Sequence, residues 1–180
     1  MPNYKIDIII PVYNEKENFT NCYNLIKNKI QSDWRVLVVY DFPEDTTLEA
    51  VRTVSKDDPR VKTVLNFERG VLSALKAGFK NAEAEAVLVT MVDDPPAIFE
   101  KVDQMVADFY EKNAAVVAAS RYMKNGGHHG GPVLKGLLSR LAGLSLYYLI
   151  KLPIHDATYN TKIYRKSFIE KTNIESKKGF

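Results

Sequence analysis

The sequence predicts an α/β fold with a mostly parallel sheet flanked by helices. Apolar runs rich in β-branched residues alternate with segments whose apolar residues recur at helical spacing. Strands that alternate with helices in this way form parallel sheets with the helices on their faces. The predicted strands are Ile6–Ile10, Arg35–Tyr40, Val61–Leu65, Ala86–Val92 and Ala114–Ala119.

The helices are predicted from their caps and apolar faces. Asn14 is placed to cap the first helix and Glu17 to complete a capping box, and apolar residues follow on one face. Those residues are Phe19, Cys22, Ile26 and Ile30. Later helices are predicted to begin near Asp45, near Arg69, at Pro95-Pro96 and near Pro132, since proline is tolerated in a first turn.

Length and composition indicate one globular domain over residues 1–180. The formal net charge of +3 is too small to indicate nucleic-acid binding, although it suits an anionic lipid or a diphosphate. The single cysteine, Cys22, cannot form an internal disulfide, and we expect it in the core because it falls on an apolar helix face. The amino terminus lacks the regions of a signal peptide, so we expect a reducing, cytoplasmic location.

The turn after the first strand, Pro11-Val12-Tyr13-Asn14-Glu15, is the most informative segment. It stands where α/β proteins bind nucleotides but contains no glycine, so we predict a base pocket lined by side chains. Asp41 stands at the carboxyl end of the second strand and can accept hydrogen bonds from a base or ribose. For the neighbouring Asp45, a helix cap is the favoured interpretation.

Charged residues also follow the fourth and fifth apolar runs. Asp93 and Asp94 are suited to hold Mg²⁺ or Mn²⁺, which would grip phosphate oxygens of a leaving nucleotide. Asp93 is the favoured ligand, whereas Asp94, directly before Pro95, could equally cap a helix. Arg121, in Ser120-Arg121-Tyr122, can pair with phosphate through its planar guanidinium.

Two segments break the alternation of strands and helices. Tyr122–Pro132 contains four glycines and is predicted to form a loop over a site. The adjacent His128 and His129 within it point in different directions, so we favour contact with an acceptor or diphosphate over metal binding. Within Val133–Leu152, the longest run without a charged residue is far shorter than the roughly 20 residues that a helix needs to cross a bilayer. This helix could lie in the core or in a membrane interface, and we favour the core.

Several blocks together resemble the family 2 glycosyltransferases, in particular the dolichol-phosphate mannosyltransferase branch. They are the IPVYNE turn, Asp41 to Thr47, Asn66 to Phe79 with its small residue at every fourth position, the Ser-Arg-Tyr block, Gly130 to Arg140 and His155 to Lys166. The resemblance implies a GT-A fold, which is Rossmann-like, and inverting transfer of a sugar from a nucleotide diphosphate to a polyprenyl phosphate. It implies nucleotide-sugar binding by Pro11, Tyr13, Glu15, Asp41, Asp93 and Arg121, and catalytic roles for Asp93, Arg121 and Asp156. It further implies acceptor binding by Ser139, Arg140 and His129, and Mg²⁺ or Mn²⁺ binding by Asp93 and Asp94.

The same resemblance implies the partners. The donor would be GDP-mannose or a UDP-sugar, the acceptor dolichyl or undecaprenyl phosphate, and the location the cytoplasmic face of the membrane, with a homo-oligomer possible. A lipid phosphate is largely ionised near neutral pH, since its second pKa is about 6, and can attack the anomeric carbon without a general base. The QxxRW motif of processive family members is absent from the sequence, as this acceptor predicts.

The chain also departs from the family pattern. Tyr40 replaces an aspartate, and the region between Asp93 and Asp94 is shorter than in similar sequences. Such sequences continue past a Lys-Gly-Phe like that at 178–180, so we expect the usual carboxyl-terminal helix and strand to be lacking. These departures leave open a degenerate paralogue that binds nucleotide or lipid without turnover. A sugar nucleotidyltransferase ranks last, because the glycine-rich, basic amino-terminal loop that it needs is missing.

Overall fold

The computed structural model describes residues 4–121, 133–149, 151–154 and 156–172. Its strands are β1 (Ile6–Pro11), β2 (Trp34–Tyr40), β3 (Val61–Leu65), β4 (Ala86–Val89), β5 (Val116–Ala118) and β6 (Lys162–Arg165). Its helices are α1 (Lys16–Lys29), α2 (Thr47–Asp57), α3 (Val71–Asn81), α4 (Pro96–Phe99), α5 (Val102–Glu111), α6 (Val133–Leu149) and α7 (Lys166–Lys171). The α/β fold with flanking helices is therefore confirmed.

The six strands form one sheet in the order β3-β2-β1-β4-β6-β5. The first four pair in parallel, whereas β6 is antiparallel to both β4 and β5. The chain steps outward from β1 to β3 on one side and then resumes at β4 on the other side of β1. Loops that leave β1 and β4 consequently diverge at the carboxyl edge of the sheet, which is where open α/β sheets bind ligands.

Alternate residues of β1 point to opposite faces of the sheet, and each face has its own apolar cluster. Ile8 and Ile10 pack in a large cluster that includes Cys22, which is fully buried as predicted. Ile9 packs in the second cluster, on the side covered by α3. Gly78 lets α3 approach closely, because a Cβ there would lie 2.6 Å from Ile9 Cγ2.

The predicted strands are confirmed, although the fourth and fifth are each three residues shorter than predicted, and the predicted cap of the first helix is wrong. The fourth strand ends at Val89 rather than Val92, and β6 was not predicted. Asn14 does not cap α1, whose N-cap is Glu15 without a side-chain hydrogen bond, so no capping box forms with Glu17. The amide oxygen of Asn14 instead accepts a hydrogen bond from the backbone of another loop, at Thr46.

Helix α6 differs most from expectation. Leu138, Leu141, Tyr148 and Leu149 are all exposed, and Leu149 retains 81% of its accessible surface. The favoured interpretation as a core helix is therefore wrong for the part of α6 whose side chains are described. Among the described helices, none combines the length and apolarity needed to span a membrane.

Candidate active site

A cavity of about 240 Å³ opens at the carboxyl edge of the sheet. It is lined by Pro11, Val12, Tyr13, Glu15, Asp41, Gly70, Val71, Ala74, Met91, Val92 and Asp93. Residues from the ends of β1, β2 and β4 thus meet with the start of α3. The cavity brings together five of the six side chains predicted to bind a nucleotide sugar, the exception being Arg121.

One wall of the cavity is held by reciprocal hydrogen bonds between two loops. Asp45 Oδ1 accepts from the backbone N–H of Asn14 at 3.1 Å and of Thr47 at 2.8 Å. Thr47 Oγ1 accepts from the backbone N–H of Glu15 at 2.8 Å. Asn14 has a left-handed φ of 56°, a conformation that asparagine tolerates better than most residues. This arrangement fixes the Tyr13 and Glu15 backbone where both residues face the cavity.

Asp45 is more than the helix cap that was expected. Its carboxylate does bond the first residue of α2, but the N-cap is Thr46 and the same oxygen also holds the turn after β1. The second oxygen, Oδ2, is buried and has no hydrogen-bond partner among the described residues. Asp45 therefore connects the turn after β1 with the start of α2.

Asp41 supports the opposite wall. Its Oδ1 accepts from Asn66 Nδ2 at 2.7 Å, and its Oδ2 accepts from the backbone N–H of Gly70 at 2.7 Å. Gly70 has a φ of 91°, which favours glycine, and it precedes α3. Each carboxylate oxygen can accept more than one hydrogen bond, so Asp41 can hold this loop and still receive a ligand donor.

The two acidic residues after β4 differ in their surroundings. Asp93 is exposed at the cavity and makes no hydrogen bond or ion pair with the described residues. Asp94 Oδ2 accepts from Thr90 Oγ1 at 2.6 Å, Met91 N at 3.0 Å and Thr161 Oγ1 at 2.6 Å. Asp94 Oδ1 accepts from Tyr159 Oη at 3.1 Å. The helix-cap interpretation of Asp94 is wrong, since none of these donors belongs to α4.

These surroundings bear on which carboxylate fits a cation. The described residues contain no group of three or more histidine, cysteine or acidic side chains that could hold a metal alone. Mg²⁺ and Mn²⁺ sites in nucleotide enzymes commonly use one or two carboxylates together with substrate phosphates. Asp93 fits that pattern because its carboxylate is exposed, whereas Asp94 Oδ2 already accepts three protein hydrogen bonds and Oδ1 accepts one.

A second polar cluster surrounds Arg121, beyond the end of β5. Arg121 Nε donates to Asp156 Oδ2 at 2.9 Å, and its Nη2 donates to Asp156 Oδ1 at 2.8 Å. The same Nη2 reaches Ser139 Oγ at 3.1 Å and Thr158 Oγ1 at 3.0 Å. Burial opposes ionisation of Asp156, but its bonds with Arg121 outweigh that effect and lower the pKa of the carboxyl. The structure thus brings together three predicted site residues from separate segments of the chain, namely Arg121, Asp156 and Ser139.

The remaining acceptor candidates are less well placed by the structure. Arg140 lies on α6, exposed, beside Ser139. His129 and the glycine-rich segment lie outside the described residues. Sequence reasoning missed Thr158 and Lys162. The half-buried amine of Lys162 donates a hydrogen bond to the carbonyl of Tyr159, and burial lowers the pKa of this amine. Thr158 lies two residues and Lys162 six residues after Asp156, and this proximity was the available signal.

Comparison with known proteins identifies the family to which the chain is similar. The family model described as glycosyl transferase family 2 matches residues 7–172. A dolichol-phosphate mannosyltransferase of Pyrococcus furiosus is 31% identical over 175 residues, covering 92% of this chain and 47% of that protein. A polyprenol monophosphomannose synthase of Mycolicibacterium smegmatis is 27% identical, covering 97% of this chain and 67% of that protein. The chain therefore spans about half the length of the first of these relatives.

A solved structure shows the same fold with little sequence identity. It is glucosyl-3-phosphoglycerate synthase from Mycobacterium tuberculosis in complex with Mn²⁺, UDP and glucosyl-3-phosphoglycerate. The TM-score is 0.66 at 13% identity, with 92% of this chain and 58% of that chain covered. The similarity supports a GT-A fold, and the family model covers nearly the whole sequence. The chain belongs to glycosyl transferase family 2.

Proposed function

We propose that this chain is the catalytic domain of an inverting glycosyltransferase that moves a sugar from a nucleotide diphosphate to a polyprenyl phosphate. The observation that carries the proposal is the cavity where the turn after β1, Asp41 and Asp93 converge at the carboxyl edge of the sheet. The Pyrococcus and Mycolicibacterium relatives, by their names, act on polyprenyl-type acceptors. Their names support the acceptor class proposed for this chain.

The cavity has the chemistry that a nucleotide requires. The Tyr13 ring is 65% exposed at the rim and packs edge-on against Phe42 at 5.4 Å between centroids, leaving it oriented to contact a base. Asp41 supplies carboxylate acceptors for base or ribose donors. Asp93 would hold Mg²⁺ or Mn²⁺, and the bound cation would offset the negative charge of the departing diphosphate.

The Arg121 cluster has the chemistry that a phosphate requires. Asp156 fixes the guanidinium by two hydrogen bonds, so Arg121 is oriented before any ligand binds. The Ser139 and Thr158 hydroxyls lie beside the Arg121 guanidinium. Arg140, which follows Ser139 on α6, adds a second cation. An acceptor phosphate held here would present an anionic oxygen that needs no general base.

The exposed side chains of α6 are consistent with a lipid acceptor. Leu138 and Leu141 lie on the same helix as Ser139 and Arg140, so an apolar surface adjoins polar groups that suit a phosphate. A helix with this character can lie at a membrane interface, where arginine attracts anionic head groups. We therefore propose that the protein is peripheral to the membrane, at its cytoplasmic face.

Calorimetric titration tests this function directly. GDP-mannose, UDP-glucose and UDP-N-acetylglucosamine are each titrated with and without Mn²⁺, using wild type and Asp93→Asn. We expect one donor to bind wild type only when Mn²⁺ is present, and we expect Asp93→Asn to lose this Mn²⁺-dependent binding. With wild type, the donor that binds should then support sugar transfer to polyprenyl phosphate in vesicles. Failure of all donors to bind a folded sample would refute the proposal, and binding without transfer would favour a non-catalytic paralogue.

A further inference from the structure

Asp94 receives hydrogen bonds from two parts of the chain that are distant in sequence. Thr90 and Met91 belong to the end of β4, whereas Tyr159 and Thr161 belong to the segment that leads into β6. Thr90 and Thr161 are fully buried. A carboxylate with four donors around its two oxygens is fixed in place, because moving it would leave several buried polar groups unpaired.

On one side, Asp94 shapes the wall of the donor cavity. Met91, Val92 and Asp93 line that cavity, and Asp94 closes the turn that contains them. Its carboxylate accepts from the Met91 N–H, and its own N–H donates to the Met91 carbonyl at 3.2 Å. The direction in which Asp93 faces the cavity thus depends on Asp94.

On the other side, Asp94 reaches the Arg121 cluster through Tyr159. The Tyr159 hydroxyl donates to Asp94, and the Arg121 guanidinium lies 5.0 Å from the centroid of the Tyr159 ring. The backbone N–H of Tyr159 also donates to the carbonyl of Asp156. Burial, with a contribution from Asp94, raises the pKa of Tyr159 to about 12, so its hydroxyl remains a donor at neutral pH.

We propose that Asp94 is a positioning residue that links the donor cavity to the Arg121 cluster through Tyr159, rather than a metal ligand. The single carboxylate sets the turn that carries Asp93 and the segment that carries Asp156. It thereby fixes the distance between the two halves of the site across which the sugar would move. The catalytic part of this inference rests on the proposed function, but the structural link does not.

The first test compares Tyr159→Phe with Tyr164→Phe. Tyr164 is a partly buried tyrosine on β6 whose ring packs against the Phe79 ring, so its variant controls for loss of a hydroxyl. Hydrogen–deuterium exchange is measured without ligand, at the amides of Met91 and Arg121. We expect faster exchange at both in Tyr159→Phe and no change in Tyr164→Phe. Unchanged exchange at both amides in Tyr159→Phe would overturn the proposal.

The second test separates positioning from metal binding. Asp94→Asn keeps the shape of the side chain, and we expect its Mn²⁺-dependent donor affinity to stay within about threefold of wild type while kcat falls about tenfold, the scale of one hydrogen bond to a charged group. Loss of Mn²⁺-dependent donor binding with unchanged exchange would make Asp94 a ligand and overturn the proposal. If wild type transfers no sugar yet Tyr159→Phe speeds exchange at both amides, the proposed function fails and the structural link stands.

Discussion

Replacement of Asp156 by asparagine should remove the group that orients Arg121. Asp156 is fully buried and accepts four hydrogen bonds, three of them from Arg121 and one from Thr158. An asparagine amide has a single acceptor oxygen, so at least one pair of these bonds is lost and an amide N–H₂ then faces other donors. At about 1.5 kcal/mol for each charge-assisted bond, the variant should lose about 3 kcal/mol of unfolding free energy at pH 7.

The stability lost in Asp156→Asn should depend on pH. The Asp156 pKa is lowered in the folded protein from an ordinary value of 3.8, so its contribution to stability is present above that value. It is lost as pH falls below 3.8 and through the lower folded value, where the carboxylate becomes protonated. Urea denaturation of both proteins at pH 7 and near pH 3 should therefore show a difference that shrinks in acid.

Asp57→Asn is the matched control, because Asp57 is an exposed residue at the end of α2. Its unfolding free energy should stay within about 0.5 kcal/mol of wild type. A loss in Asp156→Asn no larger than in this control would refute the reasoning, as would a difference that grows in acid. Transfer activity should fall with Asp156→Asn even at temperatures where the variant is fully folded, because Arg121 is no longer oriented.

Three further substitutions test other parts of the fold and site. Thr47→Val removes the acceptor of the Glu15 N–H and should weaken donor binding about fivefold, the scale of one neutral hydrogen bond, as measured by calorimetry. Gly78→Ala forces a Cβ to within 2.6 Å of Ile9 Cγ2 and should lower the unfolding free energy by about 1–3 kcal/mol in urea titrations. Leu141→Ser removes an exposed apolar side chain from α6 and should reduce cosedimentation with anionic vesicles without lowering stability.

Two of these predictions have a control within the chain. Thr53→Val changes another α2 threonine, whose hydroxyl bonds the Glu49 carbonyl, and should leave donor affinity unchanged. Phe168→Ser removes an exposed apolar side chain from α7 and should not affect vesicle binding. Equal effects of target and control substitutions would show that the loop contact or the α6 surface has no special role. For Gly78→Ala, full wild-type stability would mean that Ile9 moves aside at no cost.

The parallel part of the sheet was predictable because its signals are local. Strands β1 to β3 are short runs of β-branched and aromatic residues separated by helical periods, and the burial of β1 and β2 on both faces of the sheet requires such runs. The carboxyl ends of parallel strands lie at one edge, so Asp41 and Asp93 could be expected near the turn after β1. Strand β6 escaped prediction because Lys162–Arg165 is a mixed polar and apolar stretch with no strong period.

The sequence by itself determined the fold class and the family, and it named five of the eleven residues that line the cavity. The sequence favoured Asp93 as the ligand and left Asp94 open between a ligand and a helix cap. Only the tertiary structure showed what surrounds Asp94, and the role of a carboxylate depends on the donors around it. Two of the donors to Asp94 come from more than 60 residues away, at separations of 65 and 67. Exposure of α6 was likewise decided by tertiary packing, since an apolar period states what a helix can bury and not which surface covers it.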